Sequence, residues 1–360
     1  MRTGIANLPL HPGKCPRWLF PRMVKLAGAI TEVIIDEYGT GEMLKRLSNP
    51  YWFQGFGCVL GFDWHSSGLT TTTCGALKEA LNRNNFAIKA AGGKGKQSTK
   101  TQEELSNSEL SSSKIEKLKH ASKIAAKVDN SMVQDGYALY HHLFVYDEKG
   151  RWSIIQQGMN SINKYARRYH WLSENLTSLI EEPHTAICCN KSGKTLNLSS
   201  KQSRETRKIS LDLVKDNVLG KSSQRTISEF LGFKESVLNM TPRHWIKDID
   251  LSERDKQVLR KAYELQPESY EELISLKGMG AKKLRALALV SDLVYGTKSS
   301  WKDPVKYSFS HGGKDGTPFP VDRKTYDNTI NELKNAIDSA KIGNSDKLKA
   351  IKRLQTYIKI

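Results

Sequence analysis

The sequence is short of cysteine, of acidic residues and of long apolar runs. Its five cysteines among 360 residues are Cys15, Cys58, Cys74, Cys188 and Cys189. Their spacing gives neither a zinc-ligand set nor a disulfide framework, and the adjacent pair Cys188–Cys189 is too isolated to be a metal knuckle. That usage suits a reducing, cytoplasmic compartment. The most apolar early stretch, Met23 to Ile35, is broken by Lys25 and Glu32. It is too short to cross a bilayer, and nothing reads as a signal peptide, so no membrane is expected as a partner. A Gly-x-x-x-x-Gly-Lys-Ser/Thr loop is missing, which argues against nucleotide hydrolysis. No dinucleotide fingerprint follows a strand, and the serine-rich stretch holds no nucleophile elbow. No internal repeat is visible.

The shortage of acid has a direct consequence. Asp and Glu number 38 against 56 Lys and Arg, a net charge of +18. The sequence pI is about 9.5. Such a balance favours a polyanion, and nucleic acid is the default partner. A lysine-rich thermophile-style surface is the plainer alternative. The length suffices for two or three domains with real cores.

Apolar periodicity and Gly/Pro punctuation predict an α+β, predominantly helical chain. Residues 1–90 form the helical part of an N-terminal domain, with helices over about 21–38, 40–47, 51–60 and 70–81. Residues 91–113 are rich in Gly, Ser, Lys and Glu and read as a flexible linker or loop. Residues 114–203 form the β-hairpin-containing part of the same domain. An amphipathic helix over 115–128 is followed by a hairpin with strands at 137–146 and 152–157 and a turn at Asp147–Gly150. Residues 159–203 read as helix and loop. Residues 204–300 form an all-helical C-terminal domain. Residues 301–360 give a Gly-rich loop and a basic C-terminal helix, broken near Gly343.

Between two helical patterns lies Leu276-Lys277-Gly278-Met279-Gly280-Ala281-Lys282-Lys283-Leu284. Two glycines one residue apart let the backbone turn sharply, and exposed amides at the start of the second helix form an anion site. This stretch resembles the helix-hairpin-helix motif, which grips a nucleic-acid phosphate without reading bases. The expected DNA contacts are Lys277, Gly278, Gly280, Lys282 and Lys283. The segment Ser310–Gly316 is a second candidate phosphate loop through Lys314, with Arg323 beside it.

Residues of catalytic type gather in three places: Asp63 and His65 with Lys78 and Glu79; the hairpin, with Asp135, His141, His142, Gln156 and Gln157; and Arg167-Arg168-Tyr169-His170. A metal-dependent nuclease needs carboxylates around the scissile phosphate. Asp63, Glu79 and Asp135 could supply them to Mg²⁺ or Mn²⁺, with His65, His141 or His142 as base and Lys78 and Arg168 steadying phosphorus. Strand alternation places His141 and His142 on opposite faces unless a bulge intervenes. The plainer account is that one His caps a loop and the Gln pair satisfies buried backbone groups.

Five longer stretches carry a wider resemblance: RTGIANLPLHPGKCPRWL at 2–19, GFDWHSSGLTTTTCGALKEAL at 61–81, DGYALYHHLFVYDEKGRWSIIQQGMN at 135–160, ARRYHWLS at 166–173 and KYSFSHGGKDGTPFPVDRKTYD at 306–327. Together they resemble one family of unassigned function, chiefly archaeal with some thermophilic bacteria, catalogued as domain of unknown function seven-six-three. The resemblance implies an association with DNA processing and no defined activity.

The expected function is that of a DNA-binding, metal-dependent endonuclease of repair, structure-specific or single-strand-acting. One alternative is a DNA glycosylase/lyase using Lys282 with Asp303 as the nearest Asp, although Lys277 stands where that superfamily has proline. Another is a non-catalytic DNA-binding partner of a repair complex, or a homodimer.

Overall fold

Strand-forming residues concentrate between residues 88 and 188, and there the chain builds one antiparallel sheet. The computed structural model describes residues 15–62, 67–189, 191–217, 251–305, 331, 334–340 and 343–358. The strands are β1 (Ile88–Lys94), β3 (Ala138–Asp147), β4 (Trp152–Asn160), β5 (Tyr165–Leu172) and β6 (His184–Cys188), hydrogen-bonded in that order. The expected hairpin is β3–β4. Asp147 shapes its turn, accepting from the amides of Lys149 and Arg151 at 3.0 Å each.

Alternation gives the sheet two faces, and both are covered. Leu143, Val145, Ile155, Ala166 and Cys188 face a first helical layer. That layer is α1 (Phe20–Ser48), α2 (Pro50–Val59) and α3 (Ser67–Arg83), where the periodicity places helices. Phe144, Ile154, Tyr169, Trp171 and Ile187 face a second layer. It holds α4 (Thr101–Ser106) and α5 (Ser112–Lys127). Outside it pack α6 (Arg204–Lys215), α7 (Glu253–Leu265), α8 (Tyr270–Ser275) and α9 (Ala281–Tyr295), with α8 against α5, and both α7 and α9 against α6. A smaller antiparallel sheet joins β2 (Val133–Gln134), β7 (Lys194–Asn197) and β8 (Ser300–Lys302). The last helix, α10 (Asn344–Ile358), adds Ala350 to the first core.

Three sequence expectations are corrected here. Residues 91–113 are no linker: they form the end of β1, a 3-10 turn at Gly95–Lys100, α4 and the start of α5. Composition misleads because its glycines serve packing. A Cβ on Gly92, whose φ is +91°, would lie 2.2 Å from the His142 carbonyl oxygen and 2.6 Å from Thr101 Oγ1. Only glycine lets the chain pass that close. Leu105 is fully buried in the second core. Leu105→Ala is therefore expected to cost about 2–5 kcal/mol, read as a lower denaturant midpoint; an unchanged midpoint would return the segment to a linker.

The second correction concerns 159–203, which holds β5, β6 and β7 rather than helix and loop. The run ARRYHWL alternates two buried faces, so no apolar/polar pattern shows. The third concerns a break at 204. Leu213, Leu259, Leu273, Met279 and Leu287 share one hydrophobic cluster with Phe144 and Trp171 of the sheet. The core continues across that boundary, and β8 returns to pair with β7.

Candidate functional site

The register lines up polar side chains in rows across the sheet. One row, on the first face, runs Lys94, His141, Gln157, Arg168, Cys188. The next, on the second face, contains His142, Gln156 and Tyr169. Buried polar groups need partners, and the two rows differ in how they find them.

On the second face the partners form a chain. Ser122 of α5 meets His142 Nε2 at 2.9 Å, and His142 Nδ1 meets Gln156 Oε1 at 2.8 Å. Gln156 Nε2 donates to Asp129 Oδ2 and to the Ala125 carbonyl. Asp129 sits in a π turn (Val128–Met132) and also accepts from Trp171 Nε1, at 3.0 Å, and pairs with His184 Nε2. All six of these side chains are buried.

On the first face, Gln157 Nε2 donates to the Ser67 carbonyl at 2.9 Å and to Tyr140 Oη. Arg168 donates to Gln54 Oε1 at 2.9 Å and Thr70 Oγ1 at 3.2 Å and lies over the Phe53 ring. His141 is 1% exposed, and neither ring nitrogen has a hydrogen-bond partner. Burial, with His142 and Lys94 nearby, lowers its pKa to about 3. Burial also lowers that of His142, against the pull of Gln156 and Asp129. Both imidazoles are neutral at pH 7.

The two histidines line one cavity of about 650 Å³. Tyr140 is an extra residue in β3, since Leu139 pairs with Gly158 and His141 with Gln157. That bulge precedes both histidines and leaves their alternation intact. The two histidines pair with Gly93 and Lys94, the last residues of β1. Beyond that point β3 is the edge of the sheet. The other walls come from the 3-10 turn and α5, including Ser122, Lys123 and Lys127.

Lys127 joins the cavity to the α8–α9 turn. Its ammonium donates to the Met279 carbonyl at 2.5 Å and the Leu276 carbonyl at 3.3 Å. Burial first, then Lys123 and Lys283, lower its pKa to about 8. From the other side Gln134 Nε2 holds the Ala281 carbonyl at 2.9 Å while its Oε1 accepts from Arg285 Nε at 2.8 Å. Gly278 has φ +88° at the turn, and a Cβ there would lie 2.9 Å from Val258. Gly280 differs: it is the extended N-cap of α9, and the nearest atom to a Cβ there would be the Gly278 carbonyl oxygen at 4.0 Å. The first α9 amide to find a carbonyl is that of Lys283, on Gly280 O at 3.1 Å. The amides before it begin the helix, where unsatisfied N–H groups and the helix dipole favour an anion.

The expected site residues fall into separate places. His141, His142 and Gln157 cluster at this end of β3–β4. Lys78 bridges Glu104, at 2.6 Å, and the Gly92 carbonyl, at 2.8 Å, tying α3 to β1 and α4. Glu79 pairs with Arg83 on the outside of α3. Asp135 is engaged by Arg167 at 2.8 Å, Tyr169 Oη at 2.7 Å and the Tyr137 amide at 3.0 Å. Asp303 is held by the same Arg167, at 2.9–3.0 Å. Lys277 is exposed, whereas Lys283 is buried and paired with Asp255. Lys282 lies 3.6 Å from the same carboxylate. Burial would raise the Asp255 pKa, but Lys283 and Ser252 hold it at about 2. Asp63, His65, Lys314 and Arg323 lie outside the described residues. Among the described residues no group of three or more His, Cys, Asp or Glu side chains could hold a metal. No described helix is long and apolar enough to cross a membrane.

Ser122 and Asp129 carry no signal as single residues. Ser122 is one of many polar residues on a lysine-rich helix, and Asp129 follows it by seven positions among Lys127, Asn130 and Ser131. A pairing of the "HH" and "QQ" dipeptides across the hairpin could have pointed to them.

The model of a protein family described as "Protein of unknown function (DUF763)" matches residues 4–321. No curated protein and no solved structure matches the chain.

Proposed function

The chain belongs to the DUF763 family, whose description names no activity, and we propose from its geometry that it is a DNA-binding protein of helix-hairpin-helix type that processes the strand it holds. The α8–α9 turn is the grip. One observation carries this reading: Gly280 has no steric reason inside the described chain to be glycine, yet it stands at the head of an amide-bearing helix start. A side chain there would project into the space an approaching phosphate needs. Lys277 supplies exposed charge at the turn. Lys283 instead fixes α9 to Asp255 of α7, so its loss is expected to act through folding. The part-buried bonds from Lys127 and the buried one from Gln134 hold the turn in place, as a phosphate site on a rigid scaffold requires.

The cavity shares Lys127 with this grip, which favours processing chemistry beside the bound strand over binding alone. The reading is of a DNA-repair nuclease, with the cavity as its chemical centre.

The test uses labelled single-stranded, forked and duplex DNA, with and without Mg²⁺ or Mn²⁺. Gly280→Val is expected to leave the melting temperature unchanged and to weaken DNA binding at least about tenfold. Lys277→Ala is expected to reduce the slope of log affinity against log salt by about one unit. Unchanged affinity in Gly280→Val, in a folded protein, would make the turn a folding element only.

A further inference from the structure

We propose that Ser122 and His142 form a nucleophile–base pair in the cavity, acting on a phosphodiester. Its substrate rests on the DNA-binding reading above; its chemistry rests on the hydrogen-bond chain alone.

The chain fixes proton positions by elimination. The Ala125 carbonyl can only accept, so the Gln156 atom facing it and Asp129 must be its NH₂ group. The Gln156 oxygen therefore faces His142 and must accept. His142 Nδ1 then carries the ring proton, and Nε2 is left with a lone pair toward Ser122. The Ser122 hydroxyl donates into that lone pair. This is the arrangement a serine needs in order to lose its proton on attack: a neutral imidazole at 2.9 Å, with its tautomer set from behind. Gln156 and Asp129 are positioning residues. Trp171 and His184 hold Asp129 in turn.

The surroundings suit an anionic ester. Lys123 and Lys127 follow Ser122 on the same helix and line the same cavity. His141, buried and without a hydrogen-bond partner, offers one donor and one acceptor to whatever fills the space. An unpaired buried imidazole is costly unless a ligand or water completes it. In the reaction Ser122 Oγ bonds to phosphorus while its proton passes to His142 Nε2. The bond from phosphorus to the leaving sugar oxygen breaks, and that oxygen takes the proton from His142. Water then gives a proton to His142 Nε2 and attacks phosphorus of the serine-linked diester. The bond from phosphorus to Ser122 Oγ breaks, Oγ takes the proton back from His142, and a phosphate monoester is released. One water is consumed and the residues return to their starting states.

The experiment has two arms on the full chain. A fluorophosphonate probe needs no DNA: Ser122 is expected to be its site by peptide mass mapping. Ser122→Ala should abolish that adduct, and His142→Asn should slow it by about 10²-fold or more. A labelled oligonucleotide, quenched in acid, should leave a covalent adduct on Ser122 that Ser122→Ala lacks while keeping wild-type DNA affinity. Melting curves on each variant show that it is folded. A folded wild-type protein with no Ser122 adduct in either arm overturns the pair, whatever the hairpin variants show. Fluorophosphonate labelling without a DNA adduct overturns the phosphodiester as substrate. Loss of DNA affinity in Gly280→Val with labelling intact leaves the pair standing and tests only the grip.

Discussion

Replacing Arg167 by leucine is expected to cost about 3–5 kcal/mol of stability. Arg167 is 1% exposed in the middle of β5. Its guanidinium bonds Asp135 Oδ2 at 2.8 Å, both oxygens of Asp303 at 2.9–3.0 Å and the Lys191 carbonyl at 2.9 Å. It also lies 4.5 Å over the Tyr137 ring. Burial by itself lowers its pKa, yet the two carboxylates raise it well above the ordinary value. Leucine removes the cation and leaves two buried carboxylates facing each other. An uncompensated buried charge is the costly outcome, more than loss of the pair itself. Adding Asp135→Asn and Asp303→Asn to Arg167→Leu should therefore recover much of the loss. Denaturant unfolding of the single and triple variants reads both effects. A single variant as stable as the parent would show that the carboxylates are relieved by solvent.

Asp129→Ala should be about as damaging on stability and add a loss of chemistry. The carboxylate is fully buried and accepts from Gln156, Trp171 and His184. Alanine strands all three donors, each costing about 1–3 kcal/mol. Asp129→Asn keeps the shape and one acceptor oxygen, so it should fold better. Its new NH₂ group faces donors, however, and lets Gln156 turn over. His142 then loses the partner that fixes its tautomer. In Asp129→Asn the rate of Ser122 labelling by the fluorophosphonate should fall further than the melting temperature accounts for. A stable Asp129→Asn with the parent's labelling rate would make Asp129 a packing residue only.

The parts of this molecule that could be read from sequence share one property: a local pattern decides them. Helices α1, α2, α3 and α5 show an apolar stripe at helical spacing, and β3–β4 shows a strand–turn–strand with Asp147 and Gly150 at the turn. Gly278 and Gly280 announced a sharp turn, and Gly278 does adopt φ +88°. What could not be read depends on partners far along the chain. In β5, Arg167 and Arg168 look solvent-facing until Asp303 and Gln54 arrive from elsewhere. Gly92 looks flexible until His142 is placed against it. Of the candidate site, His141, His142 and Gln156 were legible because they sit together on the hairpin. Asp135, also chosen there, is turned toward Arg167 instead. Ser122 and Asp129 were missed because the fold, rather than the sequence, brings α5 and its π turn over β3.

The small sheet sets a condition on how the chain matures. Its strands lie at 133–134, 194–197 and 300–302, so β8 leaves the ribosome only after both of its partners have done so. Until it does, Asp303 cannot reach Arg167, and α5 and α6 have gone without α7, α8 and α9, the helices that pack on them, for much of that time. At about 5–20 residues per second, the stretch between α6 and β8 leaves those helix faces open for on the order of ten seconds. A nascent chain of this protein therefore carries uncovered apolar helix faces, among them Leu118, Leu213 and Val214, before it can close, and an early stop between residues 216 and 253 leaves them exposed for good.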